Sequence, residues 1–219
     1  MSCNAKKSFV RLTLLFIVFS YLFLDKPIAY YFIKHAQEYD SLGTFLSIFG
    51  ESTWELTIAP LGFLFFRYYK KNELYAQRFL FLLYANLFSG MLSVILKNLF
   101  ARMRPWGLQD GTNEYGFLLF QNFDMGLVEK FKYQIHILMG EATPHISFPS
   151  GHATTLFTAA VYMYILFPKQ WFLWFMSASV FSTARIMAND HFLSDVVAGA
   201  LLGTLSTLFI YSKMKEKIT

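Results

Sequence analysis

Six ionisable side chains in three short pieces of sequence have the make-up of a phosphate-handling site. They are Lys97 and Arg104, the latter followed by Pro105; His152 in Pro149-Ser150-Gly151-His152; and Arg185, His191 and Asp195. Three cations can meet the non-bridging oxygens of a phosphoryl group, over which negative charge is spread during transfer. Two imidazoles and a carboxylate add a nucleophile, a proton donor and an orienting partner. All lie at or beside the ends of strongly apolar stretches, where ionisable groups are costly and usually mark function.

Each piece has its own internal logic. His191 and Asp195 are four residues apart at the start of an apolar run, so on a helix they share a face, within reach of a carboxylate-to-imidazole hydrogen bond. Such a bond fixes the tautomer and leaves the second ring nitrogen for attack on phosphorus. Arg185 can return across Ala188-Asn189-Asp190 to hold phosphate oxygens in a bidentate grip. The Pro149-Ser150-Gly151 turn leads into an apolar run, so free backbone N–H groups and a helix N-terminus face an anion there, with His152 placed to protonate a leaving alkoxide. Lys97 and Arg104 are seven residues apart, about two helical turns, and face one point if the helix runs on to Pro105. Arg102 reads as a snorkelling cation at a helix end and stays outside the candidate site. Taken singly, each piece has a plainer reading as a cap, a hydrated histidine or a snorkelling pair. Their joint occurrence favours the site.

The elements that must position these groups follow from composition. Of 219 residues, 55% are apolar, 20% aromatic and only 15% charged, and the mean hydropathy is +0.39, the balance of an integral membrane protein. The net charge of +5 comes from basic residues set between apolar runs, which excludes a nucleic-acid surface. Cys3 is the sole cysteine, so neither an intramolecular disulfide nor a cysteine-rich metal site can form. Apolar runs occupy Phe9–Leu24, Thr53–Tyr68, Phe79–Phe100, Ala153–Phe167, Trp171–Met187 and Phe192–Tyr211. These predict an all-α, polytopic membrane protein, a six-transmembrane-helix bundle forming a single domain over residues 1–219. Pro27 to Gly50 alternates aromatic and charged residues and reads as an amphipathic interfacial helix, and about 102–148 as one long loop. The Gly199-x3-Gly203 pair reads as a helix-packing face. With six spans, Lys6, Lys7, Arg11, Lys70, Lys71 and Lys215 fall on one side with few carboxylates. By the positive-inside rule that side is cytoplasmic, and all three candidate pieces face the periplasm.

In this order and spacing, Lys97-x6-Arg104-Pro105, Pro149-Ser150-Gly151-His152 and Arg185-x5-His191-x3-Asp195 resemble the three-part signature of the type 2 phosphatidic acid phosphatase (PAP2) superfamily of membrane lipid phosphatases. The resemblance covers the chain from the third apolar run to the sixth. It implies a metal-independent, cofactor-free enzyme of the bacterial inner membrane. His191 would be the nucleophile of a phosphohistidine intermediate, Asp195 its partner and His152 the general acid, with Lys97, Arg104, Ser150, Gly151 and Arg185 binding phosphate. The family pattern has serine or threonine before the second arginine, where this chain has Ala184, which puts one phosphate hydrogen bond in doubt. The expected partners are a lipid phosphate substrate and the bilayer, with no nucleic acid. Lipid A phosphatase is the leading substrate reading, followed by undecaprenyl-diphosphate, phosphatidylglycerophosphate or phosphatidic acid phosphatase. The non-enzymatic alternative is a phospholipid-binding or transport protein, against which the His191–Asp195 pairing argues. Trp106–Ser147, Glu51 and Glu55 are candidates for headgroup selection, although the glutamates are better explained as helix-dipole partners.

Overall fold

The computed structural model describes residues 3–108, 115–117, 132, 135 and 146–219. Among these residues the regular structure is helical apart from one antiparallel bridge between Arg102 and Phe117. The helices are α1 (Cys3–Phe19), α2 (Asp25–Lys34), α3 (Ala36–Ser47), α4 (Ser52–Leu64), α5 (Glu73–Phe100), α6 (Gly151–Leu166), α7 (Trp171–Met187) and α8 (Leu193–Ile218). Among the described residues, three helical segments are long and apolar enough to cross a bilayer: Lys7–Lys34, Glu73–Phe100 and Leu193–Ile218. Large side chains such as Leu12, Leu15, Leu22, Leu61 and Leu173 lie exposed around the outside, as hydrocarbon solvent requires and water does not. The chain is a helical membrane protein.

Element ends depart from the apolar runs for local reasons. The first run does not stop at Asp25; a π turn over Ser20–Leu24 carries α1 straight into α2. The segment from Pro27 to Gly50 is therefore not one interfacial helix. It divides at His35 between α2, continuous with the first span, and α3, which packs along α7. Asn72 starts α5 by accepting a hydrogen bond from the Tyr75 N–H, 3.2 Å away, so the helix begins at Glu73, nearly two turns before the apolar run. It ends at Phe100 because Ala101 adopts a left-handed conformation, φ 44°, and the two helical turns expected to join Lys97 to Arg104 are broken there.

Close backbone approach sets α6 against α8. A Cβ on Gly199 would lie 2.3 Å from the Ser150 carbonyl oxygen, and one on Gly203 would lie 2.2 Å from that of Thr154, so only glycine permits this contact. The packing reading of these glycines holds. It also joins the start of α6 to the start of α8, where the Ser150 N–H donates to the Asp195 carbonyl at 3.0 Å. The largest buried cluster, built on Phe81, Leu82, Tyr162, Met214 and Ile218, lies toward the other end of α5, α6 and α8. A second, with Ala153, Ile186 and Val196 at its centre, braces the end where the candidate pieces meet.

Candidate active site

The ends of α5 and α7 and the starts of α6 and α8 meet at one end of the bundle and bring the predicted residues together. Lys97, Gly151 and His152 line one cavity of about 590 Å³. Lys97, Arg104 and Arg185 all act electrostatically on His152, and Lys97 and Arg104 act on His191, so both histidines face a common set of cations. The α6 N-terminus adds its free N–H groups to the same point. Ser150 is fully buried as the N-cap of α6, its side chain accepting from the Ala153 N–H at 3.4 Å. Its hydroxyl therefore shapes the turn.

His191 is 2% exposed, and the expected pairing with Asp195 takes a modified form. Nδ1 of His191 lies 3.8 Å from Oδ2 of Asp195, an electrostatic contact longer than a hydrogen bond. Ser147 stands between them. Its hydroxyl donates to Asp195 Oδ2 at 2.6 Å and lies 3.4 Å from His191 Nδ1. A hydroxyl has one proton. With that proton on Asp195, Ser147 can only accept from Nδ1–H, which leaves Nε2 of His191 unprotonated. Burial first, then Lys97 and Arg104, pull the imidazole down to about 3 against the opposing effect of Asp195, so it is neutral at physiological pH.

Arg102 is the main correction to the sequence reading. Far from snorkelling, it is fully buried, pairing with Asp195 through Nη1 and with Asp25 through Nη2 at 2.8 Å. Nη1 also donates to Ser194 Oγ at 2.7 Å, and the rings of Tyr21, Tyr115, Phe117 and Phe192 surround the guanidinium at 4.3 to 5.4 Å. Asp25 in turn accepts from the Ser194 N–H at 2.9 Å and from the Ser194 hydroxyl. The Phe192 N–H donates to Asp195 Oδ2 at 2.8 Å. Both oxygens of Asp195 are thus held, and its position is tied to the first span. The available signal was Asp25 itself, the sole carboxylate before Glu38, a charge that an apolar segment tolerates only with a partner.

Arg104 and Arg185 share a second carboxylate that sequence reasoning passed over. Each guanidinium lies 2.8 Å from Asp190, Arg104 on Oδ1 and Arg185 on Oδ2. All three remain partly exposed, at 16 to 23%. Of the two hydroxyls just before Ala184, that of Thr183 is exposed and bonds the Val180 carbonyl at 2.7 Å, while that of Ser182 is buried with no hydrogen-bond partner among the described residues. Glu51 lines the cavity, whereas Glu55 accepts a hydrogen bond from Asn86. Most of Trp106–Ser147, including His136 and His145, lies outside the described residues. Among the described residues, no three His, Cys, Asp or Glu side chains converge as metal ligands.

A model of the PAP2 superfamily matches residues 78–219, well over half of the chain and all three pieces. A lipid A 1-phosphatase of Rhizobium etli is 28% identical over 90% of this chain and 81% of its own length. A lipid A 4′-phosphatase of Porphyromonas gingivalis is 28% identical over 77% of this chain and 64% of its own. An undecaprenyl-diphosphatase of Sulfolobus acidocaldarius is 41% identical, but over only 26% of this chain and 29% of its own. No solved structure matches.

Proposed function

The chain belongs to the PAP2 superfamily of phosphatases, and from that membership we propose a single-domain, six-span enzyme that removes phosphate from a lipid headgroup at the periplasmic face of a bacterial inner membrane. The observation that carries this reading is the convergence of Lys97 and Arg104 on both histidines, and of Arg185 on His152, at one end of the bundle, where Lys97 and His152 line a cavity. The outward orientation rests on the excess of lysine and arginine at the opposite end of the bundle, where the Arg78 guanidinium donates to the Ile218 carbonyl at 3.1 Å.

Burial first, then Arg185, Lys97 and Arg104, hold the His152 imidazole down to about 3. In the proposed reaction the bound phosphate anion of the substrate offsets those cations and lets His152 take up a proton. Nε2 of His191 then attacks phosphorus while protonated His152 gives that proton to the departing alkoxide. This leaves a phosphohistidine and a free lipid alcohol. Water, deprotonated by His152, then attacks the phosphohistidine and releases inorganic phosphate. Lys97, Arg104, Arg185 and the N–H groups at Gly151 hold the equatorial oxygens through both steps, as charge on the phosphoryl group demands. Asp195, pinned by Arg102 and Ser147, stabilises the cation that forms on His191. Lipid A is the favoured substrate, since relatives bearing that activity in their names align along most of this chain.

Phosphate release by the purified protein from lipid A, phosphatidic acid and a polyprenyl diphosphate tests this reading. His191→Ala is expected to abolish release and the acid-labile phosphoprotein trapped from labelled lipid, while Asp195→Asn is expected to slow both. EDTA is expected to leave the rate intact. Turnover that survives His191→Ala, or that requires an added divalent metal, would sink the phosphohistidine mechanism.

A further inference from the structure

The cavity beside Lys97 carries an ordered polar stripe. Asn86, Gly90, Ser93 and Lys97 recur every three to four residues along α5 and therefore share one helix face, and all four line the cavity. Ser93 is 4% exposed, and its hydroxyl has no hydrogen-bond partner among the described residues. It sits directly under the phosphate turn: from the position a Cβ would take on Gly151, Lys97 Nζ is 3.8 Å away and Ser93 Oγ 4.0 Å. At Gly90 the cavity is open, with no heavy atom within 4 Å of where a Cβ would lie. Asn86, also 4% exposed, lies further along and donates to Glu55. Beside the stripe, Leu87, Met91 and Val94 line the same cavity with more than half of their surface exposed, so it is walled by apolar side chains on the face of α5 that meets hydrocarbon.

Helical rise sets a scale on this stripe. At about 1.5 Å per residue, Ser93 lies roughly 6 Å and Asn86 roughly 16 Å from Lys97 along the axis. A lipid whose phosphate rests on Lys97 places its first few atoms beside Ser93. If those atoms are hydrocarbon, the buried hydroxyl stays unpaired, which is unfavourable. A carbonyl or hydroxyl there would pair with it. We propose that this cavity binds the proximal part of an acylated lipid phosphate, with Ser93 reading a carbonyl or hydroxyl group within about 6 Å of the phosphate, and that it disfavours polyprenyl phosphates, whose tails are hydrocarbon from the first carbon. This deepens the phosphatase reading of the same site and rests on it.

The test compares kcat/KM for lipid A, an acylated lipid phosphate, and for a polyprenyl monophosphate, both with the full-length protein, and adds a water-soluble aryl phosphate that carries no tail. Lipid A is expected to be preferred. Ser93→Ala should lower the ratio of the two lipid efficiencies about fivefold, the worth of one hydrogen bond, and Ser93→Thr should restore it. Equal or better turnover of the polyprenyl lipid by the unmodified protein overturns the proposal. So does a Ser93→Ala protein that loses efficiency equally on both lipids, because that would make Ser93 a phosphate ligand. In either case turnover itself leaves the phosphatase reading standing. If folded protein releases phosphate from none of the three, the phosphatase reading fails and takes this proposal with it.

Discussion

Arg102 and Arg104 are two residues apart, yet they occupy opposite electrostatic worlds. Arg102 is sealed between Asp25 and Asp195 with no exposed surface on any of the three. Arg104 shares Asp190 with Arg185 in a cluster that remains open to solvent. A sealed ion pair has repaid the loss of water from both charges and cannot exchange partners without stranding one of them. An open cluster can trade its carboxylate for another anion at little cost. The first arrangement suits a part that must hold still, the second a part that must receive a phosphate.

Replacing the sealed cation should produce the largest effect. Arg102→Met leaves Asp25 and Asp195 buried without a counter-charge, and such a loss costs about 3–5 kcal/mol. Thermal unfolding should show a large drop in stability together with lost activity. Near-normal stability would mean that the sealed cluster does not anchor the first span.

The open cluster should separate function from folding. Arg104→Ala and Arg185→Ala are each expected to lower kcat/KM about 100-fold or more, by removing one donor to the transferring phosphoryl group, with melting temperatures close to the parent. A stability loss like that of Arg102→Met would erase the distinction between the clusters.

A gentler change sharpens it. Asp190→Asn keeps the shape of the side chain but removes the charge that competes with phosphate for the two arginines, so inhibition by inorganic phosphate or vanadate should tighten about fivefold, the worth of roughly 1 kcal/mol. Weaker inhibition would show that Asp190 positions the arginines for phosphate.

The smallest expected effect is an absence. Because the folded pKa of His191 is lowered to about 3, the imidazole stays neutral, as the proposed attack on phosphorus requires, while pH falls through its ordinary value. The rate of phosphohistidine formation in a single turnover should show no inflection near pH 6.5 from this group. The sign for stability is the opposite of that for a paired histidine. Between the ordinary value and about 3 the unfolded chain binds a proton that the native imidazole refuses, so this group makes the protein progressively less stable as pH falls across that window. An NMR titration of His191 with a midpoint near 6.5 would contradict the buried neutral imidazole.

Much of the architecture was legible before any coordinate. Long apolar runs bounded by charge give helices through the simple cost of exposing backbone in lipid, and Trp171–Met187 coincides with α7. The three pieces of the candidate site were legible because phosphate chemistry demands particular side chains. The continuation of the first span past Asp25 was not legible, since Asp25-Lys26-Pro27 has the look of a helix end until Arg102 supplies the partner that lets the carboxylate be buried. The stop at Ala101 was equally hidden: alanine is a strong helix former, and its left-handed φ is imposed by the neighbouring Arg102, whose backbone pairs with Phe117 and with Ser147.

Composition and motif spacing by themselves determined a helical membrane protein with cations, imidazoles and a carboxylate suited to phosphoryl transfer, because those properties belong to residue types and their neighbours along the chain. Only the tertiary structure decided which arginine braces Asp195 and which meets solvent, that Ser147 stands between Asp195 and His191, and that Ser93 is buried under the phosphate turn. Each of those depends on which charges and hydroxyls are brought within about 3 Å of one another from elements far apart in sequence, and on which are shut away from water in the process.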